Sequence, residues 1–301
     1  MRHLVTGGAG VIGFELVRAL LARGDDVTTV DVGKKGGLED LERLAAQHPG
    51  KLKLVRGDFG ADRNLLAGKY DAIFHFAAIV GVQYVTDHPY ETLAVNTRTT
   101  LNVLDHALES GCKTLFFASS SENYAAGVDH GFVPVPTSED VILSIDDIAL
   151  PRWSYAASKI AGESAVFGAA RLGGFTPIVV RFHNIYGPRM GPTHVVPEFF
   201  ERVAQRVDPF PIYGSDQTRS FLYAEDAARA LVTVLGAALA GAGGIYNIGS
   251  EVETRIDQLA RTIFDITGFH PRVEDKPAPP GSVRRRVPNT AKLAALGFRP
   301  Q

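Results

Sequence analysis

Tyr155 and Lys159 stand four residues apart in the run Tyr-Ala-Ala-Ser-Lys. On a helix that spacing stacks a phenol and an ammonium on one face, and Pro151 just upstream is a suitable helix start. A free phenol, with a pKa of about 10, is a poor base at neutral pH, but a neighbouring cation favours the phenolate. Such a pair can take a proton from a hydroxyl group. Taken alone, the spacing is common on amphipathic helices and proves little. Its meaning comes from Phe116-Phe117-Ala118-Ser119-Ser120-Ser121-Glu122-Asn123-Tyr124, where an apolar strand runs directly into hydroxyls and a carboxylate. Ligands of open α/β sheets gather at such carboxyl ends.

A second group of residues points to a phosphate-bearing ligand. Thr6-Gly7-Gly8-Ala9-Gly10-Val11-Ile12-Gly13 follows the first apolar run and opens a helical segment, with Gly7, Gly10 and Gly13 three residues apart. Glycines there allow a tight turn and a close backbone approach, while the helix start supplies N–H groups for a pyrophosphate. Asp31 ends the next strand, where its carboxylate can accept from the ribose hydroxyls of an adenosine; this disfavours a 2′-phosphate and selects NAD over NADP. Lys34 and Lys35 are close enough to offset a phosphate's charge. Asp58, followed by Phe59, ends the third strand as an acceptor for the adenine amino group or as a turn and helix-cap aspartate. Beyond His75, read as a packed core histidine, Phe76, Ala77 and Ala78 offer a surface against which a flat cofactor can lie.

Regular elements must place these groups. Short β-branched or apolar runs at Leu4 to Thr6, Val27 to Val30, Leu52 to Val55, Ala72 to Phe76, Thr114 to Ala118, Ile178 to Arg181 and Ile245 to Ile248 alternate with helical stretches. Helices are expected over Phe14 to Ala22, Thr97 to Ser110 and Tyr155 to Leu172. The rhythm predicts an α/β fold: a Rossmann doubly wound parallel sheet with a smaller C-terminal substrate-binding lobe. Residues 1–181 form the expected dinucleotide domain, strands from about 215–250 return to it, and 182–301 are mainly the second lobe. Past residue 182 prolines and glycines multiply, ending in Pro277-Ala278-Pro279-Pro280-Gly281.

Composition limits the alternatives. The 301 residues are 45% hydrophobic and 21% charged, with a net charge of -2, so no general attraction to nucleic acid or an acidic membrane is expected. A single cysteine, Cys112, permits neither an internal disulfide nor a cysteine-based zinc site. No metal is expected. No apolar stretch approaches membrane-spanning length and the first apolar run begins at His3, so a cytoplasmic protein is expected.

These segments, with Arg181-Phe182-His183-Asn184-Ile185-Tyr186-Gly187-Pro188-Arg189, resemble in order and spacing the extended short-chain dehydrogenase/reductases that act as NAD-dependent nucleotide-sugar epimerases and dehydratases. The resemblance runs over nearly the whole chain. It implies that Tyr155 is the catalytic base, that Lys159 binds the nicotinamide ribose and lowers the phenol's pKa, and that Ser120 or Ser121 bonds the sugar hydroxyl being oxidised. It places Asn96 in the central helix near the cofactor, with Ser119 and Phe182 as further cofactor contacts. Toward substrate it implies Val80, Asn184, Val195, Arg219 and one of Arg284 and Arg286, the arginines gripping the diphosphate. It also implies a homodimer built on the 97–110 and 155–172 helices and a nucleotide-sugar partner, UDP-linked by preference. One departure is visible: where the family shows Val-Tyr-Gly, this chain has Asn123-Tyr124-Ala125, then an insertion through Pro136.

Every variant of that chemistry begins with oxidation of a sugar hydroxyl, at C4, to a keto sugar. A 4-epimerase is the leading expectation, since Ser120 matches many epimerases. Glu122 favours the 4,6-dehydratases and the UDP-glucuronate-type decarboxylases, in which a glutamate assists proton transfer at C5 or C6. From another class, a nucleotide-binding regulator without catalysis conflicts with intact Tyr155, Lys159 and Ser120.

Overall fold

The computed structural model describes residues 1–34, 37–278 and 282–301. Lys35, and the Pro279-Pro280-Gly281 end of the proline-rich stretch, lie outside the described residues. Seven strands form one parallel sheet: β1 (Arg2–Thr6), β2 (Asp26–Asp31), β3 (Leu52–Arg56), β4 (Ala72–His75), β5 (Thr114–Ser120), β6 (Thr176–Phe182) and β7 (Gly244–Ile248). Their order is β7-β6-β5-β4-β1-β2-β3. The central strands carry continuous apolar runs, Leu115 to Ala118 and Ile178 to Val180, because both faces of the sheet are covered.

On one face α1 (Val11–Ala22) packs beside the later helix α6 (Ala224–Leu239), joining Leu16, Leu20, Leu231 and Val234 to Phe74 and Phe116 of the sheet. α2 (Leu38–Gln47) adds Leu41 and Leu44 to the same core. The other face is covered by α3 (Pro89–Ser110) and α4 (Trp153–Gly173), which set Val103, Leu104 and Val166 against Phe117 and Val179. α3 begins at Pro89, well before the expected Thr97, with proline in the first turn where its missing N–H costs nothing. Because the strand order reverses between β1 and β4, their carboxyl ends open a crevice.

The chain after β6 builds a second core. α5 (Val195–Ala204) and α7 (Ile256–Thr267) bury Phe199, Phe210, Ile212, Ile263 and Phe264 together. Phe210–Tyr213 pairs with Val273–Lys276, and Thr218–Ser220 is flanked by Glu253–Arg255 and Arg285–Arg286. The insertion after β5 contains a short helical turn, Ala125–Asp129. Thr137 then lies against the C-terminal arm, its N–H donating to Val287 O (2.9 Å) and its carbonyl accepting from Asn289 N (2.7 Å). An apparent surface insertion therefore holds the arm that carries Arg286.

Candidate active site

Helix α4 presents Tyr155 and Lys159 on one face, as the spacing requires, toward the carboxyl end of β5. Lys159 is 3% exposed; its Nζ lies 4.9 Å from the Phe117 ring centre and 5.7 Å from that of Tyr155. Burial lowers its pKa to about 7, against the charge of Glu163, which raises it. Burial pushes the Tyr155 phenol up, while a hydrogen bond from Ser120 works in the opposite direction. Ser120 also accepts from Glu122 N (3.2 Å), which starts the tight turn at Ser121–Tyr124. Ser121 is buried beneath that turn. Of the two candidate serines, Ser120 is the one bonded to the phenol.

Glu122 lies between two guanidinium groups. Arg286 Nη1 is 2.8 Å from Oε1, and Arg152 Nη2 is 3.4 Å from Oε2. Burial raises the carboxyl's pKa, but Arg286 and Arg152 outweigh it and hold Glu122 below the usual carboxylate range. Of Arg284 and Arg286, it is Arg286 whose guanidinium lies against Glu122. Arg286 pairs in register with Arg219 and turns inward, Arg285 turns outward onto Glu253 (2.6 and 2.7 Å), and Arg284 is exposed. Arg219 is lowered to about 10, first by burial and then by Arg286. Asn184 adopts a left-handed backbone (φ 39°) and donates its amide to Ser220 O (3.0 Å), beside Arg219. Val195 starts α5 and packs against the second core, and Val80 is half-buried on the loop after β4.

The crevice fits a dinucleotide's pyrophosphate. Gly7 has φ 76°, and a Cβ there would sit 2.7 Å from Ala77 N, so the turn lies directly on the exit of β4. A Cβ on Gly13 would strike Gly7 O, whereas Gly10 begins α1 with no side-chain cap. The first N–H groups of α1, at Val11, Ile12 and Gly13, thus sit where an anion is favoured. Asp31 accepts from Ala9 N (2.9 Å) and Gly33 N (2.8 Å), so one carboxylate ties the end of β2 to the glycine turn. Lys34 is exposed. Asp58 caps its own turn through Gly60 N (2.8 Å), the cap reading, and the Phe59 ring is buried against His75.

Further along the crevice, Asn96 accepts from Ile79 N (2.7 Å) and donates to Ile79 O (3.1 Å) and Ser158 Oγ (3.3 Å). It fixes the post-β4 loop, with Ala77 and Ala78, to α4. Phe76 and Phe182 meet edge to face across the mouth, centres 5.8 Å apart. His75 is a satisfied core residue: its nitrogens reach Thr6 Oγ1 (2.9 Å) and Thr100 Oγ1 (3.2 Å), and burial holds it neutral with a pKa of about 3. Two residues in contact with this cluster escaped the sequence reading. Arg152 reaches the site from the residue before α4; Glu163 lies one helical turn beyond Lys159, a spacing that was visible in the sequence.

A doubly wound sheet, a glycine turn at its switch point and a Tyr/Lys pair opposite hydroxyls define an NAD-dependent oxidoreductase-type site. The family described as the NAD dependent epimerase/dehydratase family matches residues 3–249, and the chain belongs to it. It is an enzyme family that acts on nucleotide sugars with NAD as cofactor. Among curated relatives, a UDP-N-acetyl-alpha-D-glucosaminuronate decarboxylase of Bacillus cytotoxicus is 36% identical, covering 98% of this chain and 91% of that protein. A UDP-glucose 4-epimerase of Mycolicibacterium smegmatis is 34% identical over 100% of this chain and 94% of its own length. Among solved structures, UDP-glucose 4-epimerase of Thermotoga maritima with UDP-glucose has a TM-score of 0.85 at 28% identity, covering 100% and 94% of the two chains.

Proposed function

We propose that this chain oxidises a UDP-linked hexuronate at C4 through Tyr155 and then decarboxylates the 4-keto sugar. The observation that carries the second half is the Glu122–Arg286 ion pair, with Arg152 behind it, beside Tyr155 and Ser120. Turning a keto sugar over and reducing its other face needs room rather than fixed charge. A sugar carboxylate needs cations, and two guanidinium groups flank this end of the site. The UDP preference and the acidic sugar draw support from the similarity to the Bacillus decarboxylase and from the UDP-glucose of the Thermotoga epimerase.

In this reading Ser120 orients the 4-hydroxyl and Tyr155 takes its proton, with Lys159 favouring the phenolate. Hydride transfer from and back to C4 is the chemistry that a bound NAD would supply. Gly7, Gly10 and Gly13 with the start of α1 would hold its pyrophosphate, Asp31 its adenosine ribose, and Lys159 its nicotinamide ribose. Asn184 and Arg219 bind the substrate diphosphate. With the ketone in place, the C5–C6 bond breaks, carbon dioxide leaves, and the electron pair settles on the C4 enolate oxygen beside Tyr155 and Ser120. C5 then takes a proton from solvent water, and Tyr155 keeps the proton it will return to the C4 oxygen. The lone, buried Cys112 suits a reducing cytoplasm.

A 4-epimerase is the second reading, favoured by the similarity to the Thermotoga and Mycolicibacterium epimerases. Product mass decides between them. NAD-loaded protein incubated with UDP-glucuronate and its N-acetyl counterpart should yield a product lighter by carbon dioxide, while neutral UDP-hexoses return unchanged. An inverted sugar of unchanged mass would replace this reading with the epimerase. Tyr155→Phe should fold and bind NAD while losing turnover by roughly 10²- to 10⁴-fold; near-normal turnover would remove Tyr155 from the chemistry.

A further inference from the structure

We infer that Glu163, acting through Ser119 and Asn123, is the positioning residue that locks the Ser120–Glu122 turn onto the helix carrying Tyr155 and Lys159. Glu163 lies eight residues beyond Tyr155 and four beyond Lys159, so the three share one face of α4. Its Oε1 accepts from Ser119 Oγ (2.6 Å), Asn123 Nδ2 (2.9 Å) and Arg181 Nε (2.9 Å). Its Oε2 accepts from Arg181 Nη2 (2.8 Å). Asn123 Nδ2 also reaches Ser119 Oγ (3.0 Å), closing a triangle. Ser119 and Asn123 flank Ser120, Ser121 and Glu122 along the chain, so one carboxylate oxygen holds both ends of that stretch.

The arrangement is poorly explained by stability alone. All four residues are at least nine-tenths buried, and a buried ion pair of this kind is commonly matched or exceeded by well-packed apolar side chains. It does supply direction. Hydrogen bonds to a carboxylate are short and geometrically strict, and they join α4, β6 and the end of β5 at the point where Ser120 must meet Tyr155. Asn123 stands where the resembling family places a valine, so this chain adds a polar link to the turn. Arg181 completes the anchor by donating to Glu139 O (2.9 Å), three residues past the insertion.

The inference rests on reading Tyr155 and Ser120 as the acid/base pair, and its test does not depend on which sugar is turned over. Glu163→Gln is the direct variant but leaves Arg181 buried without its carboxylate. The double variant Ser119→Ala/Asn123→Val removes both links to the turn and keeps the Glu163–Arg181 pair; because the Ser119 hydroxyl is turned onto Glu163 and Asn123, a cofactor contact at this position falls to its backbone, which the variant retains. In NAD-loaded protein, Tyr155 ionisation is followed by ultraviolet phenolate absorbance, as the difference from Tyr155→Phe. The charged groups facing that phenol are Lys159 on α4, Glu122 on the turn and Arg286 on the C-terminal arm. Loss of the brace frees Ser120 from the phenolate, so the midpoint in the double variant should rise by at least half a unit, about a threefold smaller phenolate fraction. With a turned-over UDP-sugar, kcat should fall about tenfold while KM and NAD affinity stay within about threefold. A midpoint coincident with wild type, or equal losses in NAD affinity and kcat, would overturn the inference. An active Tyr155→Phe would instead overturn the reading beneath it.

Discussion

Lys159 is the residue where function and stability conflict most directly. Its ammonium is buried, and its pKa in the folded chain is about 7 against an ordinary 10.5. Between those two values the unfolded chain binds a proton that the folded chain lacks, so this residue's contribution to stability rises with pH across that window. Below pH 7 both forms are charged and the folded chain bears the whole desolvation penalty. Lys159→Met should therefore raise the melting temperature by a few degrees near pH 6, with the gain fading as pH approaches 10. Calorimetry without added nucleotide, over that pH series, checks it. A gain that grows with pH would reverse the sign of the argument.

At the scale of elements, the turn between β1 and α1 depends on β2 as much as on its glycines. Asp31, at the end of β2, accepts from Ala9 N within the turn, and Gly7 rests on the backbone of Ala77. Asp31→Ala should weaken NAD binding at least tenfold and narrow the preference over NADP, with both contributions measured by fluorescence titration. The melting temperature should also drop slightly, because Ala9 N–H loses its charged acceptor. Unchanged discrimination between the two cofactors would leave Asp31 with only the structural role. The second lobe shows the same division of labour. The Arg285–Arg286 strand aims one arginine at Glu253 and the next at Glu122.

For the whole molecule, the face of α3 that turns away from the sheet carries Tyr90, Leu93 and Leu101, which are 84%, 40% and 48% exposed. These positions fall near one line along the helix, and α4 packs beside it. We propose that a second copy covers this face, giving a homodimer. Light scattering should return twice the mass of the 301-residue chain, and Leu101→Glu should shift the population to monomer with the fold intact. A monomer at micromolar concentration in the unsubstituted protein would dismiss the pairing. Among the described residues no helix is long and apolar enough to cross a membrane.

Much of this molecule was legible from local pattern. β-Branched runs separated by helical segments, glycines between the first strand and helix, and a phenol four residues from an ammonium are relations within short stretches of chain, where periodicity and backbone sterics dominate. The seven strands and the Tyr155–Lys159 face follow from them. What remained undecided involved partners far apart in sequence. Arg284 and Arg286 share chemistry, and only the approach of Glu122 from the far end of β5 shows which of them enters the site. Arg152 is an unremarked residue until Glu122, thirty positions earlier, folds against it. Glu163 was in helical register with Lys159 all along, but the donors that meet it, Ser119 and Asn123, arrive from the end of β5 and the turn after it. Sequence alone determined the fold class, the cofactor crevice and the helix face shared by Tyr155 and Lys159, because those are properties of contiguous segments. The tertiary structure alone decided how the charges around Glu122 balance, because an ion pair's direction and strength depend on distance and burial, which no spacing along the chain encodes.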